Sequence, residues 1–362
     1  GTELQTSLGV QDTPENFKKY LSKALGGSSD PELLDTFCDA SVDLYSWCVE
    51  HGMRFPGTVD ETSHVVEPPE GVSLMYSGNE RTCEYAEVAA PAPRAHAPEG
   101  GAANIIEPLL AEAAQSMEVL YETAGGDLVV DGSGTVIGIR AKSADKGDLA
   151  IKANKAVVLT TGGFGRDLAF RQAQDPRLDD SVDCTNQEGA TAESLRASVA
   201  AGAMAVHTDW IQLLPFMSPD EQGYGVAAFY TDGQASYAPT LDVATGKRIV
   251  NELTDRKRYA DAILETGQPC VQITCKKALY DGGSGLEGAL KAGITTEFSS
   301  IEEAAEHYGM PVDAVKEEIA RYNTFVENKL DEDFEKPIPD DAQTIDEPPF
   351  YGVRLWPKVH HC

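Results

Sequence analysis

The residues best suited to chemistry lie in the run Gly246-Lys247-Arg248-Ile249-Val250-Asn251-Glu252-Leu253-Thr254-Asp255-Arg256 and in the closing Val359-His360-His361-Cys362. Arginine is an odd acid, with an unperturbed pKa of about 12.5–13.8. Arg256 brings a positive charge that could hold a developing oxyanion, with the carboxylates Glu252 and Asp255 close by in sequence. Adjacency does not settle which face those acids occupy, and a solvated charged stretch, Asp255-Arg256-Lys257-Arg258, is the plainer alternative. A third feature is Ala156-Val157-Val158-Leu159 running into Thr160-Thr161-Gly162-Gly163-Phe164-Gly165. It reads as a buried strand ending in a backbone-exposing turn, where glycine without a Cβ lets a cofactor approach closely. A simple tight turn is the alternative.

Several elements must position these residues. Asp12-Thr13-Pro14-Glu15 opens a helix, with a capping side chain, a proline whose missing N–H costs nothing and an acid in the first turn; Gly26-Gly27 closes it. Residues 30–50 predict a second helix, with Leu33, Leu34, Phe37, Val42, Leu44, Tyr45 and Trp47 at mixed three-and-four spacing before Gly52. Residues 56–100, rich in Pro, Gly and Glu, predict a long surface excursion. A helix near 103–117 follows, then β-patterned runs at 119–122, 128–130, 135–142, 149–151 and 155–159, with Gly132-Ser133-Gly134 as a hairpin turn. Residues 187–203 read as helical. Composition turns aromatic and loop-rich around Asp209, which marks the expected domain boundary. An amphipathic helix over 311–330 sets Val312, Val315, Ile319, Tyr322 and Val326 on one face, and an acidic loop (331–349) leads into a strand over 351–355.

The chain of 362 residues, 41% hydrophobic, suffices for two domains with buried cores. Its formal charge of -30, from 29 Lys plus Arg against 59 Asp plus Glu, repels phosphate backbones and anionic headgroups, so nucleic acid and membrane surfaces are not expected partners. An anionic small molecule stays compatible, because local Arg and His set a site. No apolar run nears the ~20 residues that span a bilayer, and the first residues show no basic-then-apolar signal pattern; the compartment stays open. The 7 cysteines are scattered without C-x-x-C or C-x-x-C-H, so free thiols are expected, with neither metal nor covalent haem.

Taken in order, Leu159-Thr160-Thr161-Gly162-Gly163-Phe164-Gly165, Thr185-Asn186-Gln187-Glu188-Gly189-Ala190-Thr191, Trp210-Ile211-Gln212-Leu213-Leu214-Pro215, the run 246–256, Ala320-Arg321-Tyr322-Asn323 and Val359-His360-His361 resemble the flavoprotein family of soluble fumarate reductases, urocanate reductases and related enoate reductases. The front part, with Leu74-Met75-Tyr76-Ser77-Gly78 and Ala89-Ala90-Pro91-Ala92-Pro93-Arg94, is similar to the 3-ketosteroid dehydrogenase branch of the same superfamily. The resemblance covers essentially the whole chain. It implies an α/β architecture, a Rossmann-like FAD-binding domain with an inserted α+β capping domain, and substrate held between cap and flavin. Residues 1–208 would then be part of the FAD domain, 209–360 the cap, and 361–362 the start of a returning segment. A G-x-G-x-x-G turn upstream and a second flavin-binding segment downstream are expected outside these residues.

The same resemblance implies roles. Arg256 would be the proton donor, and Asp232 would stand among residues 228–238 where the family keeps its relay acid, with Glu252 as a further relay carboxylate. His361, Leu214 and Tyr230 would bind substrate, and Thr2, Thr161, Gly162, Gly163, Phe164, Glu193 and His360 would contact FAD; no metal is implied. Leu214 replaces a carboxylate-binding histidine of the family, so a substrate apolar at that end is expected, with Phe216, Met217, Phe229 and nearby tyrosines as lining or else as cap core. The expected activity is reduction of the C=C bond of an α,β-unsaturated carboxylate or carbonyl compound, with an electron-donor protein as a conceivable partner. A 3-ketosteroid dehydrogenase and a flavin-free binding module are the alternatives.

Overall fold

A computed structural model describes the chain except residues 61–69, 77–79, 82, 102 and 281–284; Ser77 and Gly78 of the front motif lie outside the described residues. The chain divides into two compact units, Gly1–Val119 and Leu120–Cys362.

In the first unit, Thr2 caps the helix Glu3–Ser7 through a capping box with Gln5, Thr13 caps Pro14–Ala24 and Asp30 caps Pro31–Glu50, each supplying an oxygen to otherwise unpartnered N–H groups. The predicted helices are therefore present. Their apolar faces are less covered than spacing implies: only Leu34 and Cys38 of Pro31–Glu50 are buried, while Leu33 is 70% and Phe37 61% exposed. Three-and-four spacing groups side chains on one face but does not supply the surface that covers it.

Residues 56–100 depart from a plain surface excursion. Strand Val72–Met75 pairs parallel with Thr58–Asp60 and antiparallel with Ala95–His96, and Leu74 and Ala92 are buried. Arg94 closes a buried ion pair with Asp12 at 2.7 Å, and Asn16 bonds both the N–H and the carbonyl of Ala90. These side chains pull the segment onto the start of helix Pro14–Ala24.

The second unit begins with an antiparallel meander of Thr123–Val130, Val136–Ser143 and Gly147–Lys152, its first turn fixed by Asp131 Oδ1 accepting from the N–H groups of Ser133 and Thr135. Three predicted β runs are found here, but 119–122 and 155–159 are not strands. Val158 is 80% exposed, and no strand pairs with this stretch among the described residues. An apolar run becomes a buried strand only where a neighbour satisfies its backbone. The helix expected over 187–203 is the shorter Glu193–Ala200.

A four-stranded antiparallel sheet follows, in the order Thr295–Phe298, Phe350–Leu355, Cys270–Cys275, Thr240–Leu241. Helix Val312–Asn328 packs the predicted Val315, Ile319, Tyr322 and Val326 into the core on this sheet. A second core gathers Leu178, Val182 and Cys184 with Leu213, Met217, Tyr259, Ile263, Trp356 and Val359. Residues on both sides of position 208 thus share one core, within the compact unit that begins at Leu120.

Candidate active site

The site is built on a two-stranded pairing of Gln212–Leu214 with Lys358–His361, in which Leu213 faces Val359 and Gln212 faces His361 across a register shift. The segment 183–186 flanks this pair: Val359 N–H donates to Asp183 O, and Thr185 N–H donates to Val359 O, both at 2.9 Å. The hydroxyl of Thr185 lies 2.7 Å from His360 Nδ1, and Asn186 Nδ2 donates to His360 O at 2.7 Å. Backbone and side-chain bonds together fix His360, and strand pairing places His361 beside it, with ring centroids 3.9 Å apart.

Arg256 enters from the other side. Asp255 caps helix Arg256–Glu265 by accepting from Arg258 N–H, which sets Arg256 in the first helical position. Its Nη1 donates to Gln212 Oε1 at 3.2 Å. Gln212 is therefore the residue through which Arg256 and His361 converge.

Electrostatics follow from this convergence. Burial, then His361 and Arg256, push the His360 pKa down to about 4, and burial and Arg256 lower that of His361. At neutral pH His360 is uncharged, able to donate at one nitrogen and accept at the other. The guanidinium of Arg256 supplies the positive field.

The glycine turn packs against the same strand. A Cβ on Gly163 would stand 2.5 Å from the carbonyl oxygen of Cys362, and Phe164 N–H donates to Cys362 Sγ at 3.0 Å. Only glycine admits that approach. Gly162, at φ +75°, has open space where a Cβ would point, and Thr161 is exposed beside it. The sequence-predicted Gly163 and Phe164 thus meet the end of the strand that carries His360 and His361, with Thr161 and Gly162 beside them, and Arg256 reaches the same strand pair through Gln212.

Other expected site residues lie elsewhere in the fold. Glu252 is not beside Arg256: it is buried, bonded by Arg248 through both carboxylate oxygens (2.7 and 2.8 Å), by Lys336 at 3.0 Å and by the Thr240 N–H. Burial raises its pKa, but Lys336 and Arg248 outweigh that and hold it below the usual range. Both its oxygens are thus bonded within the buried cluster. Tyr230 and Leu214 are each 1% exposed, Tyr230 among Ala227, Ala289, Ile294, Tyr351 and Val353, and Leu214 in the core beneath the strand pair. Both are packed as core residues, as are Phe216 and Met217.

Asp232 is half-buried in helix Ala227–Gln234, which is tied to the 212–217 segment by Thr231 Oγ1 donating to Phe216 O at 2.7 Å. Glu193 is an exposed first residue of its helix. Thr2 lies in the first unit, its hydroxyl 2.8 Å from His96 Nε2. Because His96 Nδ1 bonds the Arg94 carbonyl, that nitrogen carries the proton and Nε2 accepts from Thr2. Sequence reasoning missed roles for Gln212, Thr185 and Asn186, although each lies inside a motif already singled out.

The whole chain, residues 1–362, matches the family described as FAD binding domain. The protein is a member of that family, and its cofactor is FAD. This FAD-binding-domain protein is 35% identical over 275 residues to the acrylate reductase flavoprotein subunit of Shewanella woodyi, covering 72% of this chain and 54% of the relative. It superposes on the open conformation of a flavocytochrome c3 fumarate reductase with TM-score 0.77 at 25% identity, covering 100% of this chain and 58% of that one. A 3-ketosteroid-Δ4-(5α)-dehydrogenase from Rhodococcus jostii gives TM-score 0.72 at 25% identity, over 99% and 74% of the two chains. The chain spans about half the length of the curated relatives it matches. The bare Gly162 backbone, exposed Thr161 and buried-edge His360 fit the flavin end of the cofactor, since a flat ring can approach where no Cβ intervenes.

Proposed function

We propose that this protein reduces the C=C bond of an α,β-unsaturated carboxylate or carbonyl compound. The observation that carries the proposal is the convergence of Arg256 and His361 on Gln212 beside the Thr161–Gly163 turn. Thr161, Gly162, Gly163, Phe164 and His360 would hold FAD, which would supply a hydride when bound and reduced. The chain's own residues do the rest. His361 donates a hydrogen bond to the substrate carbonyl or carboxylate, Arg256 balances the negative charge that grows there and delivers the proton, and Gln212 holds the guanidinium in place. Asp232 is the acid proposed to refill Arg256. Electrons reach the flavin from a donor protein, and residues 209–360 act as the cap over the substrate. The similarity to an acrylate reductase subunit supports this direction of reaction.

The test is Arg256→Lys in the FAD-loaded full-length protein. Lysine keeps the charge but not the planar fork, so turnover of an enoate should fall by at least ~100-fold, the scale of a positioned proton transfer. Near-normal turnover would overturn the assignment. The 3-ketosteroid dehydrogenase neighbour favours a second reading, in which a steroid enone is the substrate; reduction of the bound flavin by a 3-ketosteroid would support it.

A further inference from the structure

Arg171, in helix Leu168–Gln174, is a buried cation that the chemistry above does not use. It is 5% exposed, and its bonds among the described residues all go to carbonyl oxygens, none to a carboxylate. Nε donates to Leu178 O at 3.2 Å, Nη1 to Gly165 O at 3.0 Å, and Nη2 both to Asp179 O at 2.9 Å and to Val182 O. Carbonyl dipoles replace the water that the charge gives up. The acids whose charge reaches it are engaged elsewhere: Asp183 holds Arg166 at 2.9 Å and Lys358 at 3.7 Å, and Asp179 Oδ1 accepts from Ser181. Burial lowers the Arg171 pKa, but a guanidinium stays charged at neutral pH.

The four carbonyls belong to two strips of chain that meet at the site. Gly165 closes the glycine turn, and residues 178–182 lead directly into the 183–186 segment that bonds His360. The strips touch closely: a Cβ on Gly165 would stand 2.5 Å from Asn186 Oδ1 and 2.8 Å from Cys184 Sγ. One planar fork therefore ties the turn to the segment that fixes the histidine. A lysine ammonium, a compact point charge with three donors, does not reproduce that span.

We infer that Arg171 is a positioning residue for the flavin: its guanidinium holds the Thr161–Phe164 turn against the segment that fixes His360, and its buried charge favours the reduced, more negative state of the cofactor. This rests on the placing of FAD at that turn in the reading above, and not on which compound is reduced. With water excluded around it, the cation is screened less than a surface arginine. Arg177, exposed and paired with Asp175 and Asp261, is the contrasting cation in the same stretch.

The experiment measures FAD affinity by flavin fluorescence, and the midpoint potential by equilibration with reference dyes, in the full-length protein and in Arg171→Met, Arg171→Lys, Arg177→Met and Gly162→Ala, with melting curves to check folding. Arg171→Met should weaken FAD binding about tenfold, the scale of lost hydrogen bonds to a charged group. It should also shift the flavin about tenfold towards the oxidised form, a potential lower by about 30 mV for a two-electron couple. Arg171→Lys should weaken FAD binding by a similar factor yet hold the potential, because the charge survives the loss of the fork. Arg177→Met should change neither. Unchanged affinity in either folded Arg171 variant, an unchanged potential in Arg171→Met, or a potential lowered as far by lysine as by methionine would overturn the inference; if the methionine protein does not fold, the affinity and potential of the lysine protein decide. Gly162→Ala puts a Cβ into the open space beside the turn and should weaken FAD binding about tenfold. Unchanged affinity there would overturn the placing of FAD itself, whereas a loss there with none at Arg171 would overturn only the role of Arg171.

Discussion

At the residue scale, the informative pair is an uncharged histidine beside a permanent cation. His360 has its folded-state pKa lowered to about 4 by burial, His361 and Arg256, against an ordinary value of about 6.5. A base with a depressed pKa binds its proton more readily in the unfolded chain, so stability rises with pH across that interval and is lost as pH falls. The expected outcome is that the melting temperature declines as pH is lowered from about 6.5 towards about 4, and that His360→Asn flattens this part of the profile. Equal slopes in the two proteins would show that His360 is not held neutral. The order of motifs singled out Arg256 and His361, and the structure brings both to Gln212. Leu214 and Tyr230 are buried among core residues, and a position in a motif says nothing about which way a side chain points. Gln212 was missed because its meaning comes from a strand pairing 149 positions away, Gln212 facing His361.

At the element scale, the loop delivering Arg256 is anchored by a buried cluster of two cations and two anions. Arg248 bonds Glu252 and also Asp331 at 2.7 Å, and Lys336 bonds Glu252 and the hydroxyl of Tyr322 on helix Val312–Asn328. Thr240 joins this cluster to helix Arg256–Glu265: its N–H donates to Glu252, and its hydroxyl lies 2.5 Å from the Tyr259 hydroxyl. Removing one cation leaves buried charge uncompensated, at a cost of about 3–5 kcal/mol. Lys336→Met should therefore lose stability on that scale in urea denaturation, and adding Glu252→Gln should recover part of the loss. Additive losses would mean the two side chains are not coupled. Caps and periodicity made the helices Pro14–Ala24 and Pro31–Glu50 readable, whereas the helix Arg256–Glu265 with Asp255 as its cap was hidden in a run that reads as solvated charge. The cluster was not readable, because Lys336 sits in a stretch whose acidic, proline-bearing composition reads as solvated loop.

At the scale of the whole molecule, the composition shift at residue 209 and the boundary between compact units answer different questions. Composition changes where aromatic and loop-rich sequence begins. A compact unit ends where few contacts cross, and the chain crosses 208 with Leu178, Val182 and Cys184 already inserted among Leu213, Met217, Trp356 and Val359. Trp356 Nε1 also donates to Ser181 O at 3.0 Å, and the Val359 strand exchanges backbone bonds with Asp183 and Thr185. A fragment of residues 209–362 would expose the apolar surface these three side chains cover, at roughly 1.5–3 kcal/mol for each large one, and leave the flank of Val359 without hydrogen-bond partners. A fragment of residues 120–362 keeps all of it. The second fragment should melt cooperatively and show near-ultraviolet dichroism from its packed aromatics, whereas the first should melt over a broad range with weak dichroism. If residues 209–362 alone melted as sharply, the segment 165–208 would be a passive cover and the histidine strand would not need it. The same comparison bears on catalysis, because Thr185 and Asn186, which orient His360, are absent from the shorter piece.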